Sequence, residues 1–391
     1  MACAGLVAAR RFLDAGSQCS ELLMTDNVRL EHALSLLQDH GGRPDSVAQA
    51  LAIPRSDLLD LSNAVSPFPY PLGTIPEHLL TELPYERASL AEVASDFYGV
   101  ASGCVLAASG SQHLIQSLPR MRGHSTVLLP RLGYEEHLRW WRAAGHRCVF
   151  YDEPERDLLM RTIRQEKADV LVLIHPNNPT GSCIEPADIA AWRTLLPDDG
   201  QIVVDEAFVD VQPEKSLSTL LPMAGLLILR SAGKFFGLPG LRLGFLLASE
   251  ATIREMRAQL GPWAINAIAQ WAGERMLVDA AWQQRARERL RERAQAQYES
   301  IINAGLSTDR CVQTPYFTSI SLAHDQAEQL LPAMLARHIS LRCYAQHPDY
   351  ACIRIGLTAS EHEQWRLQAA LSESMLSLGD NIQEGLSSGA I

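Results

Sequence analysis

The stretch that decides the fold is Leu226-Leu227-Ile228-Leu229-Arg230-Ser231-Ala232-Gly233-Lys234. A short, uninterrupted apolar run of this kind is typical of a strand buried on both faces of a parallel sheet. Residues that follow such a strand lie at the carboxyl edge of the sheet, where ligands bind in α/β proteins. Lys234 is therefore placed to reach a buried aldehyde, provided that burial or nearby positive charge makes its amine nucleophilic.

The sequence around this run alternates helical patterns with further short apolar runs. A helix is predicted at Leu90–Tyr98. The predicted strands are Thr126–Leu129, Val170–Ile174, Ile202–Val204, Leu226–Leu229 and Leu243–Leu247. Because most of these runs are separated by enough residues for a helix, the sequence predicts an α/β fold with a mainly parallel sheet.

The C-terminal part predicts a smaller α+β domain. A helical pattern with breaks runs from Trp263 to Ala304, and strands are predicted at Phe317–Leu322 and Cys352–Leu357 with a helix at Asp325–Arg337. The predicted divisions are an N-terminal extension (1–39), a Pro-rich segment over the active site (40–84), a large domain (85–262), linking helices (263–304) and a small domain (305–391).

Composition excludes several classes of function. The formal net charge of −11 opposes a nucleic-acid partner, because phosphate contacts need clustered Lys and Arg. No apolar run reaches about 18 residues, so no membrane span is expected. The eight cysteines contain no CxxC pair, which predicts free thiols rather than disulfides or a metal site. Arg10 and Arg11 follow the apolar start of the chain, whereas a secretory signal has its positive charges before the apolar stretch. We therefore expect no secretory signal and a cytoplasmic location.

Two motifs add charged groups at predicted strand ends. Ser231 and Arg242, the latter in Gly240-Leu241-Arg242-Leu243-Gly244, can donate to a phosphate, and arginine can do so through two hydrogen bonds. Asp205 follows the run Ile202–Val204. A carboxylate there is costly to bury unless paired. It is either a helix-capping residue or the partner of a protonated cofactor ring nitrogen, which would make the ring an electron sink.

Two further motifs contribute neutral polar groups. His175-Pro176-Asn177-Asn178-Pro179-Thr180-Gly181 follows the strand Val170–Ile174 and opens a predicted helix. It is a turn by composition, and it also offers the Asn178 amide to a phenolate oxygen. Ala108-Ser109-Gly110-Ser111-Gln112 precedes a helix predicted at His113–Leu118, where glycine lets the backbone approach an anion.

Taken together in their order along the chain, the motifs resemble those of the fold-type I enzymes that use pyridoxal 5′-phosphate (PLP), the aminotransferase superfamily. The resemblance covers about residues 40–357. It implies that Lys234 is the Schiff-base lysine. The residues that it implies for the cofactor phosphate are Gly110, Ser111, Gln112, Ser231 and Arg242.

The same resemblance implies contacts to the cofactor ring. Tyr134 would stack on the ring, Asn178 would contact its O3′ and Asp205 would pair with its N1, so that Lys234, Asp205 and Tyr134 are the expected catalytic residues. Phe208 stands where many relatives have a tyrosine that donates to O3′. That hydrogen bond is therefore expected to be missing.

The N-terminal region resembles one branch of this superfamily, the L-threonine-O-3-phosphate decarboxylases of cobalamin biosynthesis. The similarity lies in His40-Gly41-Gly42, Leu59-Asp60-Leu61-Ser62 and Pro67-Phe68-Pro69-Tyr70-Pro71. Ser66 departs from the asparagine that the branch usually has before the proline, and Ala64 replaces Gly or Asn. These two differences bear on the substrate more than on the type of reaction.

The resemblance also implies a substrate site and an oligomeric state. A substrate phosphate would be held by His40, Ser62 and Arg342 and the substrate carboxylate by Arg354, and Asn178 is a further expected substrate-binding residue. The expected partners are a small, phosphorylated amino acid and a second copy of the chain in a homodimer. No metal is expected.

Three alternatives to decarboxylation remain at this stage. One is an aminotransferase acting on histidinol phosphate or a related amino acid, since that sister branch shares the cofactor motifs. Another is a repurposed relative that forms carbon–carbon bonds in a specialised pathway. A PLP-binding transcription regulator is disfavoured because about 40 residues before the match are too few, and not basic enough, for a DNA-binding domain.

Overall fold

The computed structural model describes residues 27–37 and 41–387 of the chain. Its strands form a large sheet, a small sheet and a two-stranded pair. The strands are β1 (Leu59–Asp60), β2 (Val105–Ala108), β3 (Thr126–Pro130), β4 (Arg147–Tyr151), β5 (Val170–Ile174), β6 (Gln201–Asp205), β7 (Leu226–Ser231), β8 (Gly244–Leu247), β9 (Cys311–Gln313), β10 (Phe317–Leu322), β11 (Ile339–Ser340), β12 (Arg342–Tyr344) and β13 (Ala351–Gly356).

Helices cover the sheets and connect them. They are α1 (27–37), α2 (Pro44–Leu51), α3 (His78–Thr81), α4 (Ala88–Tyr98), α5 (Ser111–Ser117), α6 (Glu136–Ala143), α7 (Arg156–Glu166), α8 (Pro186–Arg193), α9 (Ala232–Phe235), α10 (Glu250–Leu260), α11 (Ala267–Met276), α12 (Ala280–Asn303), α13 (His324–Ala336) and α14 (Glu361–Ser387). None of the helices among the described residues is both long enough and apolar enough to cross a membrane.

The large sheet confirms the predicted α/β fold. Its strand order is β2-β8-β7-β6-β5-β3-β4, and all neighbours that do not involve β8 are parallel. The five residues of β5 are all buried, because helices cover both faces of the sheet. The carboxyl ends of β5, β6 and β7 consequently meet at one edge, which is where the predicted functional residues follow each strand.

Two strands of the large sheet were not predicted, and one runs in an unexpected direction. Strand β2 is short and half alanine, and the edge strand β4 begins with exposed Arg147 and is only partly buried. Neither therefore stands out in the sequence as the longer or more strongly apolar runs of the predicted strands do. Strand β8, predicted as Leu243–Leu247, begins at Gly244 and is antiparallel to both neighbours.

The C-terminal part forms the predicted α+β unit. Its sheet has the order β12-β13-β10-β9 with antiparallel pairing throughout. Strand β1, from the segment near the N-terminus, pairs in parallel with β11. This pairing ties the chain around Ser62 to the small sheet and brings it beside the edge of the large sheet. The proposed domain boundaries remain predictions.

Candidate active site

The predicted site residues converge on one cavity of about 230 Å³ between the two sheets. Every predicted residue that the structure describes lines it; His40 lies outside the described residues. The predicted cofactor residues in its wall are Gly110, Ser111, Gln112, Tyr134, Asn178, Asp205, Ser231, Lys234 and Arg242. The predicted substrate residues in its wall are Ser62, Asn178, Arg342 and Arg354.

The cavity carries an excess of positive charge. Four cationic side chains and two carboxylates line it, whereas the whole chain has a net charge of −11. The cationic side chains are Lys234, Arg242, Arg342 and Arg354, and the carboxylates are Glu135 and Asp205. A cavity that concentrates positive charge in an acidic protein is suited to anionic ligands.

Lys234 lies just after β7, in the short helix α9. Burial first, and then the positive charges of Arg354 and Arg242 against the opposing effect of Asp205, together lower the pKa of its amine from the usual value to about 8. Its Nζ lies 5.6 Å from the ring centroid of Phe208. A lysine with this pKa has a much larger neutral fraction near physiological pH than an ordinary lysine, and the neutral amine is the form that attacks an aldehyde.

Asp205 ends β6 and is fixed by two donors. The backbone N–H of Ala207 donates to Oδ1 at 3.1 Å, and Nε2 of His137 donates to Oδ2 at 3.0 Å. The side chains of His137 and Asp205 are both buried. His137 was not predicted, although it lies three residues after Tyr134 and its backbone N–H donates to the Tyr134 carbonyl. The pairing was invisible in the sequence because His137 and Asp205 are 68 positions apart.

The backbone of Gly110, at the start of the segment 110–112, lies close to the guanidinium of Arg242. Gly110 has φ +78°, and a Cβ added there would lie 2.8 Å from Nη2 of Arg242. Helix α5 begins at Ser111 rather than at the predicted His113, since the glycine itself makes the turn. Arg242 also adopts a left-handed conformation, with φ 58°, and its Nη1 donates to the carbonyl of Pro239 at 3.0 Å.

The Gln112 side chain supports its neighbours. Its Nε2 donates to Oε2 of Glu136 at 2.5 Å, and its Oε1 accepts from the hydroxyl of Tyr134 at 3.0 Å. Burial, followed by the charge of Glu136, raises the pKa of Tyr134 above its usual value. Tyr134 is therefore a neutral, positioned ring. The backbone N–H of Gln112, in the first turn of α5, is a further donor for an anion.

Arg354 is a buried cation held by neutral acceptors. Its Nη1 donates to Oδ1 of Asn178 at 2.8 Å and to the hydroxyl of Tyr344 at 3.0 Å, and its Nη2 donates to the carbonyl of Ser62. Among the residues that the structure describes, no acceptor is hydrogen-bonded to its Nε, and no carboxylate lies within 4.0 Å of its guanidinium. Because a guanidinium only donates, the Asn178 oxygen faces Arg354 and its amide N–H groups remain for another acceptor.

Ser62 and Arg342 have partners within the protein. The Ser62 hydroxyl donates to Oδ1 of Asp60 at 2.5 Å and accepts from the backbone N–H of Gly42 at 2.9 Å. Arg342 donates to the Leu37 carbonyl, and its Nη2 lies 3.1 Å from Oε1 of Glu135. Ser62 thus holds the chain around Gly42 in place, so the predicted role of its hydroxyl as a direct phosphate ligand requires an exchange of partners.

Several lining residues were not predicted. Tyr344 lies between the two substrate arginines, with guanidinium carbons 5.1 Å (Arg342) and 5.8 Å (Arg354) from its ring centroid. Its position two residues after Arg342 places it on the same face of β12, a signal that the sequence contained. Phe208, as expected, offers no hydroxyl and packs against Tyr316 and Phe317.

Comparison with known proteins agrees with this arrangement. Residues 75–370 match the family model "Aminotransferase class I and II". A threonine-phosphate decarboxylase of Pseudomonas aeruginosa is 38% identical over 339 residues, which cover 85% of this chain and 97% of that protein.

Two solved structures share the fold. One is a histidinol-phosphate aminotransferase of Sinorhizobium meliloti in complex with pyridoxal-5′-phosphate, with a TM-score of 0.75, 19% identity, and coverage of 86% of this chain and 95% of that one. The other is an L-threonine-O-3-phosphate decarboxylase of Porphyromonas gingivalis, with a TM-score of 0.62, 19% identity, and coverage of 75% and 93%. The extent of the family match and the 38% identity establish that this chain belongs to the class I and II aminotransferase family.

Proposed function

We propose that the cavity binds PLP, with its phosphate held by the backbone of Gly110–Gln112, by Ser231 and by Arg242. The glycine supports this assignment because a side chain at position 110 would displace Arg242. Asp205, held by His137, provides a carboxylate for the cofactor ring nitrogen, and the free Asn178 amide faces the place of a phenolate oxygen. When bound, the cofactor supplies an electron sink for a bond at the substrate Cα.

We further propose that the chain decarboxylates L-threonine O-3-phosphate to aminopropanol phosphate, the reaction that the sequence resemblance connects with cobalamin biosynthesis. One observation carries the choice of a doubly anionic substrate. Arg342 and Arg354 are direct partners across the antiparallel strands β12 and β13, and both are buried, at 4% and 6% exposure. Like charges directly opposite in a sheet are destabilising, so this pair favours a ligand with two anionic groups.

Arg354 is the proposed carboxylate ligand because its remaining donors form one edge of the guanidinium. A guanidinium has five N–H donors. Both hydrogens of Nη1 and one of Nη2 are used by Asn178, Tyr344 and Ser62, which leaves Nε–H and the second Nη2–H. Adjacent donors of this kind bind a carboxylate through two parallel hydrogen bonds.

The fixed position of Arg354 bears on the type of reaction. The bond that breaks at Cα is the one held perpendicular to the cofactor ring, and the carboxylate ligand sets that orientation. Arg354 is held at Nη1 by Asn178 and Tyr344 and at Nη2 by the carbonyl of Ser62, so the carboxylate has little freedom to turn. Lys234, with a pKa of about 8, is the group that can return a proton to Cα. The 38% identity to a decarboxylase over 85% of the chain supports loss of carbon dioxide.

The test is product analysis without an acceptor for amino groups. PLP-loaded protein is incubated with L-threonine O-3-phosphate in the absence of any 2-oxo acid, and products are identified by mass spectrometry. Formation of aminopropanol phosphate over many turnovers is expected. A single turnover that stops with the cofactor in its amine form would instead identify an aminotransferase and would refute the proposal.

We also propose that the protein is a cytoplasmic homodimer. Large apolar side chains near the N-terminal segment are exposed, including Leu80 (70%), Leu83 (60%), Tyr85 (69%) and Trp263 (48%). The rings of Tyr85 and Trp263 contact each other, with centroids 6.1 Å apart. Apolar surface of this extent is typical of an interface. Light scattering coupled to size-exclusion chromatography should give twice the chain mass of 43.1 kDa; a monomer at micromolar concentration would refute the dimer.

A further inference from the structure

Glu135 lies where the active-site cavity meets a wider surface cleft. It immediately precedes α6 and lines both spaces, as does Tyr134. Its side chain is 36% exposed, whereas that of its partner Arg342 is only 4% exposed. Glu135 is thus accessible from the cleft, while the guanidinium that it neutralises belongs to the buried wall of the site.

The contacts of Glu135 join the large sheet region to the small one. Its Oε1 accepts from Nη2 of Arg342 at 3.1 Å and from Nε2 of Gln346 at 2.7 Å. Arg342 is further bonded to the carbonyl of Leu37 at the end of α1. The carboxylate therefore occupies a donor group of Arg342, the arginine to which the proposed function assigns the substrate phosphate.

Removal of a counter-charge from a buried arginine is costly unless another anion takes its place. A substrate phosphate that takes over the Nη2 donor of Arg342 supplies such an anion and displaces Glu135 toward water, which the exposure of Glu135 permits. A monoanion would replace one unit of negative charge with another and gain little. A dianionic phosphate brings more charge and three acceptor oxygens, so it alone gains from the exchange.

The adjoining cleft favours the approach of anions. Its lining contains four arginines and the two carboxylates Glu135 and Glu136, and the arginines are Arg43, Arg131, Arg139 and Arg142. Arg131 and Arg139 already contact carboxylates, at 2.5 Å (Asp152) and 3.2 Å (Glu136). The cleft is nevertheless net positive in a chain of net charge −11, which attracts a negatively charged substrate to the position of Glu135.

We propose that Glu135 is an exchangeable counter-ion of Arg342, which a dianionic group on the substrate side chain displaces on binding. Glu135 would then determine specificity, because it makes the site reject amino acids whose side chains carry a single negative charge or none. This inference rests on the proposed assignment of the substrate phosphate to Arg342. It does not depend on whether the bond broken afterwards is to the carboxylate or to hydrogen.

The test is calorimetric titration of PLP-loaded protein with inorganic phosphate and, separately, with acetate at pH 8. Because the cofactor fills its own phosphate subsite, added phosphate reports on the substrate subsite. Glu135→Gln keeps the shape of the side chain and removes its charge. We expect this variant to bind phosphate about tenfold more tightly and to bind acetate measurably, whereas the unaltered protein binds acetate far more weakly than phosphate.

Two further variants make the result specific. Glu373→Gln removes an equivalent exposed carboxylate that pairs with Arg337 at 3.0 Å, and it should leave both affinities unchanged. Combining Glu135→Gln with Arg342→Gln should abolish the gain. Unchanged or weaker phosphate binding by Glu135→Gln, or a gain that persists in the double variant, would overturn the proposal. Since the titration involves no turnover, this outcome is independent of the product analysis that tests decarboxylation.

Discussion

Replacement of His137 by leucine tests how the protein holds the carboxylate for the cofactor ring nitrogen. His137 Nε2 donates to Asp205 Oδ2 at 3.0 Å, and the two side chains are 3% and 5% exposed. Leucine has a comparable size and cannot donate. In the variant, Asp205 would retain only the Ala207 N–H on its other oxygen, and water has little access to replace the lost donor.

The expected loss follows from the burial of the pair. A hydrogen bond to a charged group contributes about 1.5–3 kcal/mol. If about half of this is lost from cofactor binding, the dissociation constant of PLP should rise by about three- to tenfold, since 1.4 kcal/mol corresponds to a factor of ten. The remainder should appear as a lower free energy of unfolding of the cofactor-free protein.

Both quantities can be measured on the same preparation. Titration of cofactor-free protein with PLP, followed by absorption, gives the dissociation constant, and urea unfolding of the cofactor-free protein gives its stability. His124→Leu is the control, because His124 is exposed and bonded to the carbonyl of Gly145, away from the cavity. A His137→Leu variant that binds PLP within twofold of the unaltered protein would refute the assigned role of His137.

Three further predictions concern the cofactor site. Lys234→Ala should eliminate the covalent adduct that borohydride reduction traps with PLP; a mass increase that persists in the variant would identify another lysine. The rate of PLP attachment should rise with pH through about 8, because attack requires the neutral amine and burial lowers the pKa of Lys234 to about that value. Arg354→Gln should shift this profile to higher pH, since removing a nearby positive charge raises the pKa of Lys234, and an unshifted profile in stopped-flow measurements would contradict the electrostatic argument. Gly110→Ala should weaken PLP binding by about tenfold, because the new Cβ would displace Arg242 and because φ 78° with ψ 160° costs a side chain about 1–3 kcal/mol. Affinity equal to that of the parent protein would show that the close approach is dispensable.

Much of the cofactor site could be predicted because its signals are local. Val170–Ile174, Gln201–Asp205 and Leu226–Ser231 are buried runs, and each is followed directly by its polar residues. In a parallel sheet, consecutive strand ends meet at one edge whatever the details of packing. Asn178, Asp205 and Lys234 therefore had to lie close together once the strands were recognised.

The start of α5 and the direction of β8 were less predictable. Both depend on how Gly110 and Gly244 pack against one another, since a Cβ at Gly244 would lie 2.4 Å from the backbone N of Ser111. Such a close approach leaves no periodic pattern in the sequence. Strand β2, which pairs with β8 at this place, was missed because it has only four residues and half of them are alanine.

The sequence by itself determined the α/β fold, the place of Lys234 directly after a buried strand and the order of the polar residues along the sheet edge, because strand burial and the residues after each strand are properties of adjacent positions. Only the tertiary structure decided the partners of those residues. His137 reaches Asp205, Arg354 bonds the carbonyl of Ser62, and Glu135 meets Arg342 across 207 positions. Hydrogen bonds and ion pairs extend only about 3 Å, so these pairings depend on how elements distant in the sequence pack together, which no local pattern records.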